Sequence, residues 1–157
     1  MPAVKPIPDG FHTLTPHIVV QDAAKAIDFY KGAFGAEELA RHRTPDGSIM
    51  HALMKVGDSM LMLNDEFPQM GAVGPNTIGG SAVTLSLYVQ DADKAWKRAV
   101  DAGASVKMPI ADMFWGDRYG VLTDPFGHVW AIAQHKQDLT PEQIAKAAEA
   151  AFSGGGG

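Results

Sequence analysis

Polar and apolar residues alternate in two short segments of the chain. In the segment TLSLYV, the polar residues Thr84, Ser86 and Tyr88 alternate with Leu, Leu and Val. The segment TPHIVV, which begins at Thr15 and contains His17, shows the same alternation in the same phase. A period of two is typical of a β-strand with two chemically different faces. Both segments are therefore predicted to be strands with one apolar and one partly polar face.

A helical pattern follows each predicted strand. Asp22 and Asp91 stand where a helix N-cap is expected, because a carboxylate there accepts hydrogen bonds from the free N–H groups of the first turn. Apolar residues then recur every three or four positions until Gly35 and Gly103, which are typical of helix ends. Three strand candidates follow each helix, separated by turn sequences such as PDG and DPFG. The unit strand-helix-strand-strand-strand is thus predicted twice.

The two units form a repeat with constant spacing. Positions 21 and 90 both hold Gln, 22 and 91 both hold Asp, and the two members of each pair differ by 69 in residue number. A period this long indicates a duplicated module rather than a solenoid. We therefore predict an α+β fold with two tandem βαβββ modules, at residues 13–66 and 82–135, joined by a Gly- and Pro-rich linker at residues 67–81.

The C-terminal region predicts one further helix, over residues 138–152. Thr140, Pro141 and Gln143 form the sequence pattern of a capping box with proline at the first helical position. The remaining residues, 153–157, are predicted to be a disordered tail.

The composition excludes several classes of function. The 157 residues include no cysteine, so disulfides, thiolate metal sites and a cysteine nucleophile are all ruled out. The net charge is -5 and the 13 basic residues form no cluster, so we expect no nucleic acid partner. No apolar run approaches the roughly 20 residues that a membrane span needs. The start, MPAVKPIPDG, lacks the apolar core of a signal peptide, so a cytoplasmic globular protein without a membrane partner is expected.

Four strings, in order, resemble a known family. DFY, GDSMLML, FWGDRYG and DPFGHVW on a duplicated frame resemble the vicinal oxygen chelate superfamily of glyoxalases, bleomycin-resistance proteins and extradiol dioxygenases, and most closely its PhnB-like branch. The resemblance covers roughly residues 13–135. It implies that the modules curl into an open mixed sheet whose concave faces hold the ligand, commonly beside one divalent metal.

The resemblance also locates the positions at which metal-binding members carry their ligands. The two histidine positions are occupied by Thr15 and Thr84, and the two carboxylate positions by Leu61 and Ala131. A threonine hydroxyl is a poor neutral ligand, and leucine and alanine have no donor atom. We therefore expect no metal and no other cofactor, which argues against the family's metal-assisted catalysis.

The string FWGDRYG brings several reactive side chains between two predicted strands. Trp115 and Tyr119 are predicted to stack on a ligand, and Arg118 to bind an anionic group. The alternative is that Arg118 pairs with Asp117 or another carboxylate and stiffens a turn. His17, on the polar face of the first strand, is a candidate replacement ligand or general base; the alternative is a histidine hydrogen-bonded within the sheet.

The sequence as a whole predicts a protein that binds a small organic molecule between its modules. The predicted ligand-binding residues are Thr15, His17, Thr84, Ser86, Tyr88, Trp115, Arg118 and Tyr119. A homodimer is expected, with a compact monomer as the alternative. The competing hypothesis is a lyase or isomerase of the glyoxalase type that uses a rebuilt metal site or His17 as base, and a third is an interaction module.

Overall fold

The computed structural model of the protein describes residues 2–154. Within these residues the chain forms β1 (His17–Val20), α1 (Ala23–Phe34), β2 (Glu37–Arg43), β3 (Ile49–Val56), β4 (Ser59–Asp65), α2 (Pro75–Ile78), β5 (Thr84–Tyr88), α3 (Ala92–Ala102), β6 (Ser105–Asp112), β7 (Asp117–Thr123), β8 (Val129–His135) and α4 (Pro141–Ser153).

The strands form two four-stranded mixed sheets, one in each module. The strand orders are β1-β4-β3-β2 and β5-β8-β7-β6. β1 and β4 run parallel, as do β5 and β8, whereas the other neighbouring strands are antiparallel. Neither sheet closes on itself. The predicted fold class, with two tandem βαβββ modules in an open arrangement and a C-terminal helix, is confirmed.

Some details differ from the expectation. The first strand begins at His17 rather than Thr15, and the linker contains a 3-10 turn at Pro68–Met70 and the short helix α2. α4 begins with the predicted capping box, in which the Thr140 hydroxyl accepts from the Gln143 N–H at 3.2 Å. Of the predicted tail, residues 155–157 lie outside the described residues. No helix within residues 2–154 is long and apolar enough to span a membrane.

Helices α1 and α3 begin with the same pair of hydrogen bonds. The side chains of Asp22 and Asp91 accept from the third backbone N–H beyond them, at 3.1 Å in each module. A second side chain, from the last strand of the module, reaches the first helical N–H: Asp65 in the first module at 2.7 Å and Gln134 in the second at 3.0 Å. These pairs differ by 69 in residue number, so the repeat extends to the details of helix capping.

A buried carboxylate joins the two modules. Oδ2 of Asp124, in the turn between β7 and β8, accepts hydrogen bonds from the Tyr30 hydroxyl of α1 at 2.6 Å and the Trp130 indole at 2.9 Å. The Trp130 ring packs against Phe34 of α1 with a centroid distance of 4.4 Å. Burial, followed by the charge of Asp124 and the hydrogen bond to it, raises the pKa of Tyr30 well above its ordinary value.

Two further polar contacts cross between the modules. The Arg98 guanidinium of α3 donates to the carbonyls of Gly32 at 2.8 Å and Lys31 at 3.2 Å, near the end of α1. The Lys31 carbonyl also accepts from the N–H of Gly35 at 3.1 Å, and a cation is favourable beside the carbonyls at a helix C-terminus. On the other side, Nε2 of His128 lies 2.8 Å from the Val19 carbonyl of β1.

The Tyr30→Phe substitution tests the contribution of the buried carboxylate. Loss of the hydroxyl removes one donor from Asp124 and is expected to lower the free energy of unfolding by about 1–3 kcal/mol. Chemical denaturation of both proteins measures the difference.

The Tyr119→Phe variant is a matched control, since the Tyr119 hydroxyl has no hydrogen-bond partner within residues 2–154. It should change the stability by less than about 0.5 kcal/mol. Equal effects of the two substitutions would contradict the assignment.

Candidate functional site

The predicted residues of β5 lie on one face of the second sheet. Thr84, Ser86 and Tyr88 are all exposed and alternate with Leu85 and Leu87, which pack against the buried core. Alternate residues of a strand point to the same side of the sheet. We call the side that carries Thr84, Ser86 and Tyr88 the open face of the second sheet.

A cavity of about 280 Å³ lies between the two modules. Its polar lining includes Thr15, from the segment before β1, and Thr84 and Ser86 of β5. Its apolar lining comes from both modules and consists of Leu14, Pro16, Val56, Met60, Leu61, Leu85, Leu87 and Trp130. The structure thus brings three of the predicted ligand-binding residues together in one cavity.

The strand registers correct one of the positions at which the resemblance places a metal ligand. His17 pairs with Met62, and Ser86 pairs with Ala131. Both pairs are related by the repeat spacing of 69, so the counterpart of Ala131 is Met62. The expectation that it is Leu61 is wrong, because the turn before β4 is shorter than the turn before β8.

The side chains at these positions do not fit a divalent metal centre. Thr15 and Thr84 offer only neutral hydroxyls, Met62 a soft thioether, and Ala131 no donor atom. Within residues 2–154 there is also no group of three or more His, Asp or Glu side chains arranged to hold a metal ion. The donors that the family's metal chemistry needs are therefore absent from these positions.

His17 lies on the first sheet and is not part of the cavity lining. Its Nε2 is 2.6 Å from Oδ1 of Asn64 on β4, which is the hydrogen-bonded arrangement given above as the alternative to a chemical role. The ring centroids of His17 and His51 are 5.9 Å apart, and those of His51 and His42 are 6.3 Å apart. Burial, and then the charges that His17 and His42 can carry, lower the pKa of His51.

Aromatic residues converge on a carboxylate at the far end of the open face. Oδ2 of Asp117 accepts from the Tyr88 hydroxyl at 2.8 Å and from the Trp115 indole N–H at 3.2 Å. Its Oδ1 lies 2.8 Å from Nδ1 of His135. The ring centroids of Tyr119 and Trp115 are 5.4 Å apart, and the angle between the ring planes is 71°. We call these five residues the Asp117 cluster.

Hydrogen bonds keep Asp117 ionised although its side chain is only 5% exposed. Burial by itself raises the pKa of this carboxyl group, but the hydrogen bonds from His135, Tyr88 and Trp115 outweigh burial and lower the pKa below its ordinary value. The cluster therefore has a negative charge at its base.

His135 lies between two carboxylates. Its Nδ1 faces Asp117, and its Nε2 is 2.7 Å from Oδ1 of the exposed Asp138. The hydrogen bonds to Asp138 and then to Asp117 raise the pKa of His135 above its ordinary value. Protonated His135 thus stabilises the ionised forms of Asp117 and Asp138.

Arg118 is on the opposite side of β7 from the Asp117 cluster. Its Nε lies 2.8 Å from Asp93 of α3, and its Nη1 lies 3.2 Å from Asp112 of β6. This is the carboxylate pairing named above as the alternative to anion binding. The structure therefore separates Arg118 from Trp115 and Tyr119, with which the sequence grouped it.

Neither Asp117 nor His135 is among the residues predicted to bind a ligand. Alternation along β7 places Asp117 and Tyr119 on one side of the strand, so this signal was present in the sequence. His135 is brought to Asp117 by the pairing of β7 with β8, which joins these two positions directly. No local pattern reveals that pairing.

The titration of His135 tests this arrangement. The pKa of His135 is expected to lie above 6.5, and Asp138→Asn should lower it, since Asp138 contributes most to the shift. A raised pKa means that these ion pairs stabilise the fold below about pH 6.5 and that the contribution is lost as the pH rises through the folded-state pKa. NMR titration of the ring protons measures both values. Asp112→Asn is the matched control; an unchanged pKa in Asp138→Asn would refute the arrangement.

Known proteins share this fold and part of this sequence. A protein of Mycobacterium tuberculosis strain H37Rv, Rv0887c, is 46% identical over 134 residues, which are 83% of this chain and 79% of the relative. The crystal structure of TioX from Micromonospora sp. ML1 is 25% identical with a TM-score of 0.64, covering 79% of this chain and 98% of TioX. TnmS3, an antibiotic binding protein from Streptomyces sp. CB03234, is 28% identical with a TM-score of 0.60, covering 80% and 96%.

The family assignment follows from a family model that matches most of the chain. A model of the Glyoxalase/Bleomycin resistance protein/Dioxygenase superfamily matches residues 10–132, which include all eight strands except the last three residues of β8. The order of elements and the parallel β1/β4 and β5/β8 pairs agree with the fold that the resemblance implied. The chain belongs to the glyoxalase/bleomycin resistance protein/dioxygenase superfamily.

Proposed function

We propose that this protein binds a small organic molecule between its modules without the metal centre of its family. The observation that carries the proposal is the cavity of about 280 Å³ to which both modules contribute. Thr15 and Thr84, at the positions that the resemblance gives to histidine ligands, both line this cavity. Hydroxyl groups thus take the place of metal donors in the same location.

The chemistry of the lining indicates the kind of ligand. Most of the wall is aliphatic or aromatic, and a few polar residues supply hydrogen-bonding groups: His12, Thr15, Ser59, Thr84 and Ser86. A largely apolar cavity with a few polar groups is typical of sites for small organic molecules. The volume favours a compact ligand, or the compact part of a larger one.

One relative supports binding as the function. TnmS3 is described as an antibiotic binding protein, and it shares 28% identity over 80% of this chain. We propose by analogy that this chain sequesters or carries its ligand. A cytoplasmic location agrees with a chain of 157 residues that contains no cysteine.

Filling the cavity tests the proposal. Ser86→Leu is expected to abolish the increase in melting temperature that a ligand from a panel of small organic molecules produces in the native protein, because the larger side chain occupies the cavity. Thermal-shift measurements compare the two proteins with and without each compound. Ser105→Leu is the matched control, since Ser105 is exposed on β6 of the same sheet and does not line the cavity.

Two outcomes would refute the proposal. One is a panel in which no compound stabilises the native protein, or in which Ser86→Leu responds as strongly as Ser105→Leu. The other is a stoichiometric divalent metal in protein purified without chelators, lost on His17→Ala. That result would favour a metal-dependent enzyme with a rebuilt site.

We also propose that the protein forms a homodimer. Leu14 and Val83 occupy equivalent positions of the repeat, shortly before the edge strands β1 and β5, and the two residues are 86% and 64% exposed. Exposed apolar residues beside unpaired strand edges favour association with a second chain.

Light scattering after size-exclusion chromatography tests the dimer. The native protein is expected to show twice the chain mass of 16.7 kDa, and the double variant Leu14→Lys/Val83→Lys to show the mass of one chain. Val4→Lys is the control, because Val4 is 92% exposed and lies far from both strands in sequence. A native protein with the mass of one chain, or a double variant that remains dimeric, would contradict this proposal.

A further inference from the structure

The Asp117 cluster is separate from the cavity between the modules. Thr84 lines the cavity, and Tyr88 of the cluster lies four positions further along the strand, about 13 Å away. Neither Asp117 nor His135 touches the cavity, although both groups of residues share the open face of the second sheet. The cluster therefore lies apart from the cavity.

We propose that the Asp117 cluster binds an organic cation, such as a quaternary ammonium group or a protonated amine. The rings of Tyr88, Trp115 and Tyr119 contact the cation, and Asp117 supplies the negative charge behind them. The inference goes beyond the proposed function, because it assigns a site and a ligand charge that the cavity does not define.

The geometry of the rings supports a cation rather than a neutral ligand. Tyr88 and Trp115 both direct their polar hydrogens at the same carboxylate oxygen. This direction places the electropositive edge of each ring toward Asp117, so the electron-rich faces are turned to the sides of the carboxylate. The ring planes of Trp115 and Tyr119 form an angle of 71°, so the two rings make a corner. Such corners favour cations that lie against ring faces.

The charge distribution supports the same ligand. Asp117 has no Lys or Arg partner within residues 2–154, and its ionic contact is with His135. The nearest arginine in the sequence, Arg118, is held on the other side of the strand by Asp93 and Asp112. The guanidinium of Arg118 therefore does not face a cation that approaches the cluster.

His135 makes the site sensitive to pH. The groups that face its ring are Asp117 from β7, Tyr88 through the shared carboxylate from β5, and Asp138 from the segment after β8. When His135 is protonated, its charge offsets that of Asp117 and repels a cationic ligand. When it is neutral, the negative charge is free to attract the ligand. Binding should therefore weaken as the pH falls through the pKa of His135.

Choline and dimethylbutanol, its uncharged carbon isostere, are the probes. NMR titration of the full chain at pH 8 is expected to show choline binding at least about fivefold more tightly than the isostere, with shifts of the Trp115 indole signal. The Asp117→Asn variant should weaken choline binding about tenfold, and Trp115→Leu about fivefold. In the native protein choline binding weakens toward pH 5, whereas in His135→Asn it changes little.

Matched variants separate this site from general charge effects. Asp112→Asn removes the same charge from an exposed carboxylate outside the cluster and should leave choline binding unchanged. Circular dichroism checks the fold of every variant, and if Asp117→Asn does not fold, Trp115→Leu and the pH dependence still decide the result.

Three results would overturn the inference. These are equal binding of choline and dimethylbutanol, an equal loss in Asp112→Asn and Asp117→Asn, and no binding of choline to the native protein at pH 8. None of them affects the cavity, whose ligands are detected with Ser86→Leu. A failure of this site is thereby distinguished from a failure of the proposed function.

Discussion

One buried carboxylate joins the second module to helix α1 of the first. Asp124 accepts hydrogen bonds from the Tyr30 hydroxyl, the Trp130 indole and the backbone N–H groups of Phe126 and His128. A carboxyl group that is 4% exposed needs such donors, because an unpaired buried polar group is costly. The turn between β7 and β8 must therefore remain in contact with α1. The cavity depends on this contact, since its walls come from both modules.

The two modules share one fold because they are repeats, and substitutions make them chemically different. The capping of α1 and α3 is nearly the same in both modules, because each helix needs donors satisfied at its start. The sheet faces have no such constraint. His17 and Asn64 of the first sheet correspond by the repeat spacing to Ser86 and Ala133 of the second. The first sheet thus offers imidazoles, and the second offers hydroxyls and an aromatic carboxylate cluster.

Two features are separate from this asymmetry: both modules carry the same weak donor at the equivalent positions Thr15 and Thr84, and the protein has two surfaces of other chemistry. A metal between the modules needs donors from both halves of the repeat, and Thr15 and Thr84 are too weak to provide them. What remains is an apolar cavity with hydroxyls and, further along the same face, a carboxylate held ionised by its neighbours. The two surfaces differ in charge, so the ligands proposed for them differ in charge as well.

The sequence by itself determined the elements, their order and the repeat, because strand alternation, helix caps and turn residues act over a few neighbouring positions. It also placed Thr84, Ser86 and Tyr88 together, since one strand carries all three. Only the tertiary structure decided that Arg118 turns away toward Asp93 and that His135 reaches Asp117. These outcomes depend on which side of β7 meets a helix and which residues pair across strands. Both are set by packing between segments distant in sequence, which no local pattern records.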